Sequence, residues 1–440
     1  MGRMPVARQR ARLCIRRFLT VCAVLSLLSA AHCLGTDGEA TGDTLTAHWP
    51  GRIRLESRGL MPFAELTTET WGNVAGGLRQ GAWWNQLLNF GVELDTEKAG
   101  GWAGGKFVAQ THWVANSQRN RTFADYTGTV NPVSGIMASD HLRVFNLYYQ
   151  QGWRSNTVVL KAGQIAVDDD FMLSGYTGLF ANSAFGGMPS QVGNRLAGCC
   201  GFSPPFPMYS VAAPGLFLSV RPTESVYLQG GLYDGRPGQD TPDNHGFDWA
   251  AQSHWEAGMF FEAGYRYKLC DREATLRLGI SHHTGKLESF STPENGQDDT
   301  KQAVPNFYAV HDLELLRSSE GKTLLGLFSR AGVTSDPEAS MVGAYADAGL
   351  NWFGPIPRRP HDVAGVAVSY TRFGEDYRTS TGPNGVAASQ TAVELAYEAR
   401  VTRWLSIQGD VQFLLNPEVN AEAGTRETAV VLGMRARLAF

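Results

Sequence analysis

The chain is short of charge, short of cysteine beyond its first 33 residues, and without any long apolar run that a helix would need to cross a membrane. Charged residues are 18% of 440, against about 25% in an ordinary globular domain. At roughly 150 residues per domain the length suggests about three soluble domains, but the low charge argues against them. A mean hydropathy of −0.20 is too polar for a bundle of membrane helices. No run of 18 apolar residues occurs after the N-terminal segment, which excludes a transmembrane helix there. Of the six cysteines only Cys199, Cys200 and Cys270 lie beyond residue 33. Adjacent cysteines rarely bridge without strain, so a disulfide framework is excluded. No CxxC, HExxH or GxSxG occurs, so nothing points to a structural zinc site or a hydrolase nucleophile, and no catalytic residue, metal site or cofactor is expected. What the chain has in quantity is glycine, with 50 residues, and aromatics, at 11%, which excludes disorder and suggests a large β-rich protein.

Residues 1–33 read as a secretory signal. Six arginines (Arg3, Arg8, Arg10, Arg12, Arg16, Arg17) precede an apolar stretch from Phe18 to Leu28, and small residues follow at Ser29, Ala30 and Ala31. Removal of this segment takes Lys+Arg from 38 to 32 against 42 Asp+Glu, so the net charge moves from −4 to −10. An acidic exported chain is a poor partner for nucleic acid.

Beyond a linker at 34–54, period-2 alternation runs to the end of the chain. Val430, Leu432, Met434, Ala436, Leu438 and Phe440 share one face, opposite Arg435 and Arg437. Leu405, Ile407, Val411 and Phe413 oppose Gln408, Asp410 and Gln412; Val393, Leu395 and Tyr397 oppose Glu394, Glu398 and Arg400. Upstream, Phe90 and Val92 oppose Glu93 and Asp95, Phe261 opposes Glu262 and Arg266, and Leu276 and Leu278 oppose Arg277. The segments run about 9–11 residues, the length of a tilted membrane strand. An arginine facing lipid at mid-membrane costs roughly 2–4 kcal/mol, so the charged faces point into a wet lumen. Residues 307–333 alternate poorly.

Short turns at about 98–105, 153–156, 222–224, 269–274, 317–322, 354–361 and 402–404 alternate with long polar connections at about 72–85, 117–141, 168–213, 235–257, 285–306, 334–343, 373–390 and 416–426. Seven short and eight long connections give 16 strands, with both termini on the short-turn side. The expectation is an all-β fold: a transmembrane antiparallel barrel over 55–440 with short periplasmic turns and long extracellular loops, wide enough for an aqueous channel. Trp113, Trp352 and Trp404 fit aromatic girdles.

The connection 168–213 is the longest. Residues 171–220 carry a single charge, Arg195. So long a segment of such low charge suits a loop tucked into the barrel as a constriction. The pore-lining candidates are Lys161, Arg266, Arg277, Arg400, Arg435 and Arg437 among the cations. The acidic candidates are Glu93, Glu262, Glu394 and Asp410. Tyr227, Tyr233 and Phe217, with Tyr148, are inward aromatics able to stack on sugar rings, and Arg221 stands just beyond Phe217. Lys106 and His112 also face inward. Asp168, Asp169 and Asp170 read as a solvated strand end, with part of a calcium site as the alternative.

These segments resemble the carbohydrate-selective porin (OprB-like) family of Gram-negative outer membranes over roughly residues 55–440. The matching stretches are WGNVAGGLRQGAWWNQLLNFGVELDTEKAGGWAGGKF (71–107), VVLKAGQIAVDDDFMLSGYTGLFANSAFG (158–186), YLQGGLYDGRPG (227–238), EAGYRYKL (262–269), LRLGISHHTG (276–285), GLFSRAG (326–332), ADAGLNWFGPIP (346–357) and VVLGMRARLAF (430–440). The resemblance implies a cell outer-membrane location in lipid, a homotrimer, passive diffusion of small sugars past a constriction of inward loops, no cofactor, and a terminal Phe440 read by the barrel-assembly machinery. Lys161 matches a basic position of the family. Two departures stand out: Phe217 and Ser219 occupy positions where the family carries inward arginines, and Asn146 and Gln150 replace acidic residues. The alternative on the same barrel is a general or ion-selective porin without sugar preference.

Overall fold

The computed structural model describes residues 44–117, 123–192, 206–249, 256–288, 290, 300–337, 340–382, 385–418 and 424–440. The signal segment, Arg195, Cys199 and Cys200 lie outside them. Sixteen strands close into one antiparallel barrel in which chain neighbours pair throughout. The first half holds β1 (Leu60–Ala75), β2 (Gly81–Asp95), β3 (Gly105–Asn116), β4 (His141–Trp153), β5 (Val158–Ile165), β6 (Ala213–Val220), β7 (Val226–Asp234), β8 (Ala257–Leu269) and β9 (Arg272–His283). A two-stranded hairpin outside the wall follows, β10 (Lys286–Glu288) with β11 (Thr300–Gln302). The wall resumes with β12 (Asn306–Arg317), β13 (Thr323–Thr334), β14 (Val342–Phe353), β15 (Val363–Phe373), β16 (Ser389–Arg400), β17 (Leu405–Leu415) and β18 (Ala429–Ala439).

The alternation of side chains decides the closure. Phe107, Trp113, Leu218, Leu228, Phe261, Leu278, Val366, Val368, Leu395 and Phe413 are exposed on the outer face; in a bilayer that surface meets acyl chains at no cost. Their sequence neighbours point inward. The register Glu69↔Arg435 and Trp71↔Gly433 joins β1 to β18 and seals the cylinder. Trp71 lies across Gly433, where a Cβ would come within 2.1 Å of the ring. At the tight β8–β9 hairpin Cys270 and Asp271 take φ of +50° and +62°, the pair of left-handed residues that a two-residue hairpin turn requires.

Three differences from the sequence reading have physical causes. The connection expected over 72–85 is only residues 76–80, because β1 and β2 run on to Ala75 and from Gly81. Of the residues that read as a loop, Gly72, Asn73 and Gly81 are strand positions, and Gly76 and Gly77 lie in a tight turn. Residues 50–56, divided by the expected linker boundary, form a helix, and the first strand opens at Leu60. Arg52 in that helix donates to the Phe440 carbonyl at 2.6 Å and to Thr46 at 2.7 Å, which ties the N-terminal segment to the last strand. The weak alternation of 307–333 arises because inward positions there are apolar: Tyr308, Val310 and Phe328 are buried inside the barrel.

Candidate functional site

What buries those residues is the connection between β5 and β6. It leaves the wall in a 3-10 turn, Val167–Asp169, and turns into the lumen instead of toward solvent. Phe171 and Met172 pack with Phe206, Phe217, Tyr233, Phe260 and Tyr308. The Phe171 ring centroid is 5.7 Å from Phe217 and 5.3 Å from Phe260. Further along, Leu179, Phe180 and Phe185 pack on Phe328 of the opposite wall. Residues 167–185 of the connection therefore cross the interior, held by apolar side chains on both walls.

A loop crossing a barrel brings backbone N–H and C=O groups away from bulk water, and each needs a partner. The wall supplies them. Glu262 accepts from the Met172 N–H at 3.2 Å. Asp312 accepts from the Gly175 N–H at 3.0 Å. Glu394 accepts from the Ala181 and Asn182 N–H groups at 2.5 and 3.0 Å. Three inward carboxylates from three strands thus hold successive stretches of loop backbone. Arg330, only 3% exposed, donates to the carbonyls of Gly186 at 2.7 Å and Ala184 at 3.0 Å. Its guanidinium is fixed by Asp347 at 2.6 Å. Gln408 donates to the Leu179 carbonyl at 2.9 Å, and Gln412 accepts from Asn182 at 2.9 Å. At the loop's start Asp168 accepts from the Tyr209 N–H at 3.1 Å, Asp169 from Asn146 at 2.7 Å, and Asp170 from Lys161 at 2.7 Å.

Four inward charge pairs are not fully buried. Lys106 meets Glu93 at 2.9 Å, Lys161 meets Asp170 at 2.7 Å, Arg277 meets Asp312 at 2.8 Å, and Arg437 meets Glu398 at 2.9 Å. The Lys161 ammonium also sits 5.5 Å from the Tyr148 ring centroid and 5.1 Å from that of Phe217. On the extracellular side of the loop a cavity of about 340 Å³ is lined by Asn131, Ser134, Asp168, Ser183, Tyr209 and Asp240.

The sequence candidates divide by what they touch. Lys161, Arg277, Arg437 and Glu93 occupy the half-buried, paired strip. Arg266 and Arg400 lie on the inward register at the periplasmic mouth and are exposed. Glu262, Glu394, Asp410 and Arg435 are buried at 5% exposure or less; they hold the loop or the wall and do not face permeating solutes. Tyr227 donates to Glu262 at 2.7 Å. The aromatic stacking expected of Tyr233 and Phe217 is corrected: at 1% and 4% exposure they are packed beneath the loop, where no ring of a solute reaches them. Arg221 stands outside β6 in the exposed turn 221–225, where its backbone N–H donates to the Thr157 carbonyl at 2.8 Å.

Sequence reasoning missed Arg330, Glu69 and Arg143. Arg143 is fully buried and binds the carbonyls of Asn244, Ser210 and Thr241 together with Asp240, stapling two extracellular loops to β4. The strand parity of these residues was a readable signal; the loops that use them were not. Among the described residues no group of three His, Cys, Asp or Glu is placed to hold a metal ion.

Comparison with known proteins agrees with this architecture. Residues 64–440 match the model of the carbohydrate-selective porin, OprB family. Porin B of Pseudomonas aeruginosa (strain PAO1) is 24% identical over 448 residues, covering 94% of this chain and 95% of that protein. The high-pH structure of Pseudomonas putida OprB aligns with a TM-score of 0.78 at 20% identity, over 92% of this chain and 100% of that one. The low-pH structure of the same protein aligns at 0.56 and 16% identity, again over 92% of this chain. With a family match along most of its length and a closed barrel narrowed by an inward loop, the chain belongs to the OprB family of carbohydrate-selective outer-membrane porins.

Proposed function

We propose that this channel passes small uncharged sugars by passive diffusion through the gap between the inward loop and the strip formed by Glu93, Lys106, Lys161 and Arg277. The observation that carries this reading is the pairing of charges. Each of these wetted cations has a carboxylate within 3 Å, so the passage presents alternating donors and acceptors rather than a ring of one sign. Such a lining orients polar hydroxyls and exerts little net pull on either ion. The porin family match and the closed barrel support a channel as the working reading.

The remaining features follow from the same reading. The leader is cleaved on export, three copies associate in the membrane with their apolar faces in lipid, and the barrel-assembly machinery reads Phe440. The position of that residue supports the last point, because its N–H joins β1 through the Ala64 carbonyl at 2.8 Å. Liposome swelling with glucose, disaccharides and amino acids of matched size tests permeant choice. Sugars are expected to enter faster than amino acids of the same size. Equal rates for all solutes of one size would mean a general porin instead.

A further inference from the structure

The outer surface carries a feature that sugar passage does not use. β15 rises to the extracellular rim with Val366, Val368 and Tyr370 facing outward, 40%, 43% and 45% exposed. The next residue on that face is Arg372, also exposed. Beyond it the helix Glu375–Ser380 folds back over the rim and brings Arg378 to the same place. The two arginines line one cavity of about 360 Å³, together with Val333, Ala344 and Glu375. A second cavity of about 520 Å³ adjoins it, sharing Arg378 and Ala388, with Arg426 on its far side.

The geometry is built, not incidental. Phe373, Tyr377 and Val386 pack with Met341 and Val342, and the Gly374 N–H donates to the Met341 carbonyl at 3.1 Å. This fixes the helix, and with it Arg378, beside the strand. Among the described residues the Arg372 side chain makes no ion pair or hydrogen bond. Arg378 has only a loose, exposed contact with Glu375 at 3.7 Å, and Arg426 donates to the Pro417 carbonyl at 2.7 Å. An arginine on the outer face of a barrel is tolerable only where headgroups begin. Two guanidiniums flanking one cavity match the oxygens of a phosphate, and the apolar column below matches an acyl chain. A neutral sugar supplies neither feature.

We propose that this rim pocket binds a phosphorylated glycolipid of the outer leaflet, with its phosphate between Arg372 and Arg378 and an acyl chain along Tyr370, Val368 and Val366. The side chain of Glu375 turns from Arg378 toward solvent when the phosphate arrives.

Native mass spectrometry of the full-length protein in mild detergent, titrated with lipid A, tests this. The variant R372Q/R378Q is expected to bind about tenfold more weakly or worse, since one tenfold step corresponds to about 1.4 kcal/mol. R221Q, at the other end of the barrel, is expected to bind as wild type, and sugar conductance is expected to be the same in all three. Dephosphorylated lipid A should bind wild type as weakly as lipid A binds the double variant, and inorganic phosphate should not compete. Equal lipid A affinity in wild type and double variant overturns the proposal. Competition by inorganic phosphate makes the pocket a free-anion site and overturns the lipid assignment. Loss of oligomeric state with loss of lipid makes it an interface between copies and also overturns it. Should the double variant fail to assemble, R372Q alone decides.

Discussion

Arg435 on the last strand and Glu69 on the first meet at 2.6 Å, and Glu69 also accepts from the Trp71 indole N–H at 2.8 Å. Both partners are buried, at 5% and 1% exposure. The pair lies on the one seam where strands distant in sequence must find each other. Removing one member of a buried pair leaves the other charge uncompensated, at a cost of roughly 3–5 kcal/mol. Glu69→Leu is therefore expected to lower the midpoint of urea unfolding in detergent strongly, and Glu69→Leu with Arg435→Met to recover much of it. A single variant as stable as wild type would show that the seam is held by backbone pairing alone.

Arg330 has the corresponding role for the inward loop. It joins Asp347 of the wall to two loop carbonyls. Arg330→Leu removes the donor to the Gly186 carbonyl and leaves the Ala184 carbonyl and Asp347 with the Tyr345 hydroxyl, at 2.6 and 2.7 Å, while the strands keep their ladder. Single-channel conductance is expected to rise, and oligosaccharides excluded by wild type to enter liposomes. Unchanged conductance together with an unchanged size limit would mean that the apolar contacts of Phe180 and Phe185 suffice to hold the loop.

Lys161 and Arg277 balance Asp170 and Asp312 beside the passage. Replacing both with glutamine keeps hydrogen-bonding capacity and leaves two carboxylates unopposed. Reversal potentials across planar bilayers in a salt gradient should shift toward cations, and more so at low ionic strength, where screening is weaker. Identical reversal potentials would remove both residues from the narrow part of the pore.

The barrel was legible in the sequence because a strand's period of 2 exposes its two faces. Arg435, Arg437, Glu394 and Asp410 fall on the inward face by parity alone. What parity does not carry is whether an inward group meets water or protein. Inward charge reads as a wet lumen, yet Glu262 and Glu394 serve bare N–H groups of a loop 90 and 213 residues away in sequence. The same loop broke the pattern it was hidden by: inward Tyr308, Val310 and Phe328 are apolar because Met172, Phe180 and Phe185 cover them. At 72–85 two of the glycines that signal turns, Gly72 and Gly81, stand in strands whose Trp71 and Trp83 side chains fill the space.

Asp168 gives the loop a pH dependence. It lies outside the strands, in the 3-10 turn at the start of the loop. Although part of its surface is open, it sits deep within the barrel, and burial, followed by the neighbouring charge of Asp169, pushes its carboxyl from the ordinary 3.8 up to about 7. Burial raises Asp169 and Asp170 as well, opposed in Asp169 by the hydrogen bond from Asn146 and in Asp170 by Lys161. A carboxyl raised in this way keeps a proton that the released loop gives up. Its contribution to the docked loop is full below the ordinary value and is lost as pH rises from there through about 7. The loop is therefore expected to be held more firmly at pH 5 than at pH 8, with fewer current fluctuations in single-channel records at the lower pH. Asp168→Asn keeps an acceptor for the Tyr209 N–H but cannot ionise, so it should flatten the difference between pH 5 and pH 8. A variant whose fluctuations change with pH as much as those of wild type would assign the dependence to other groups.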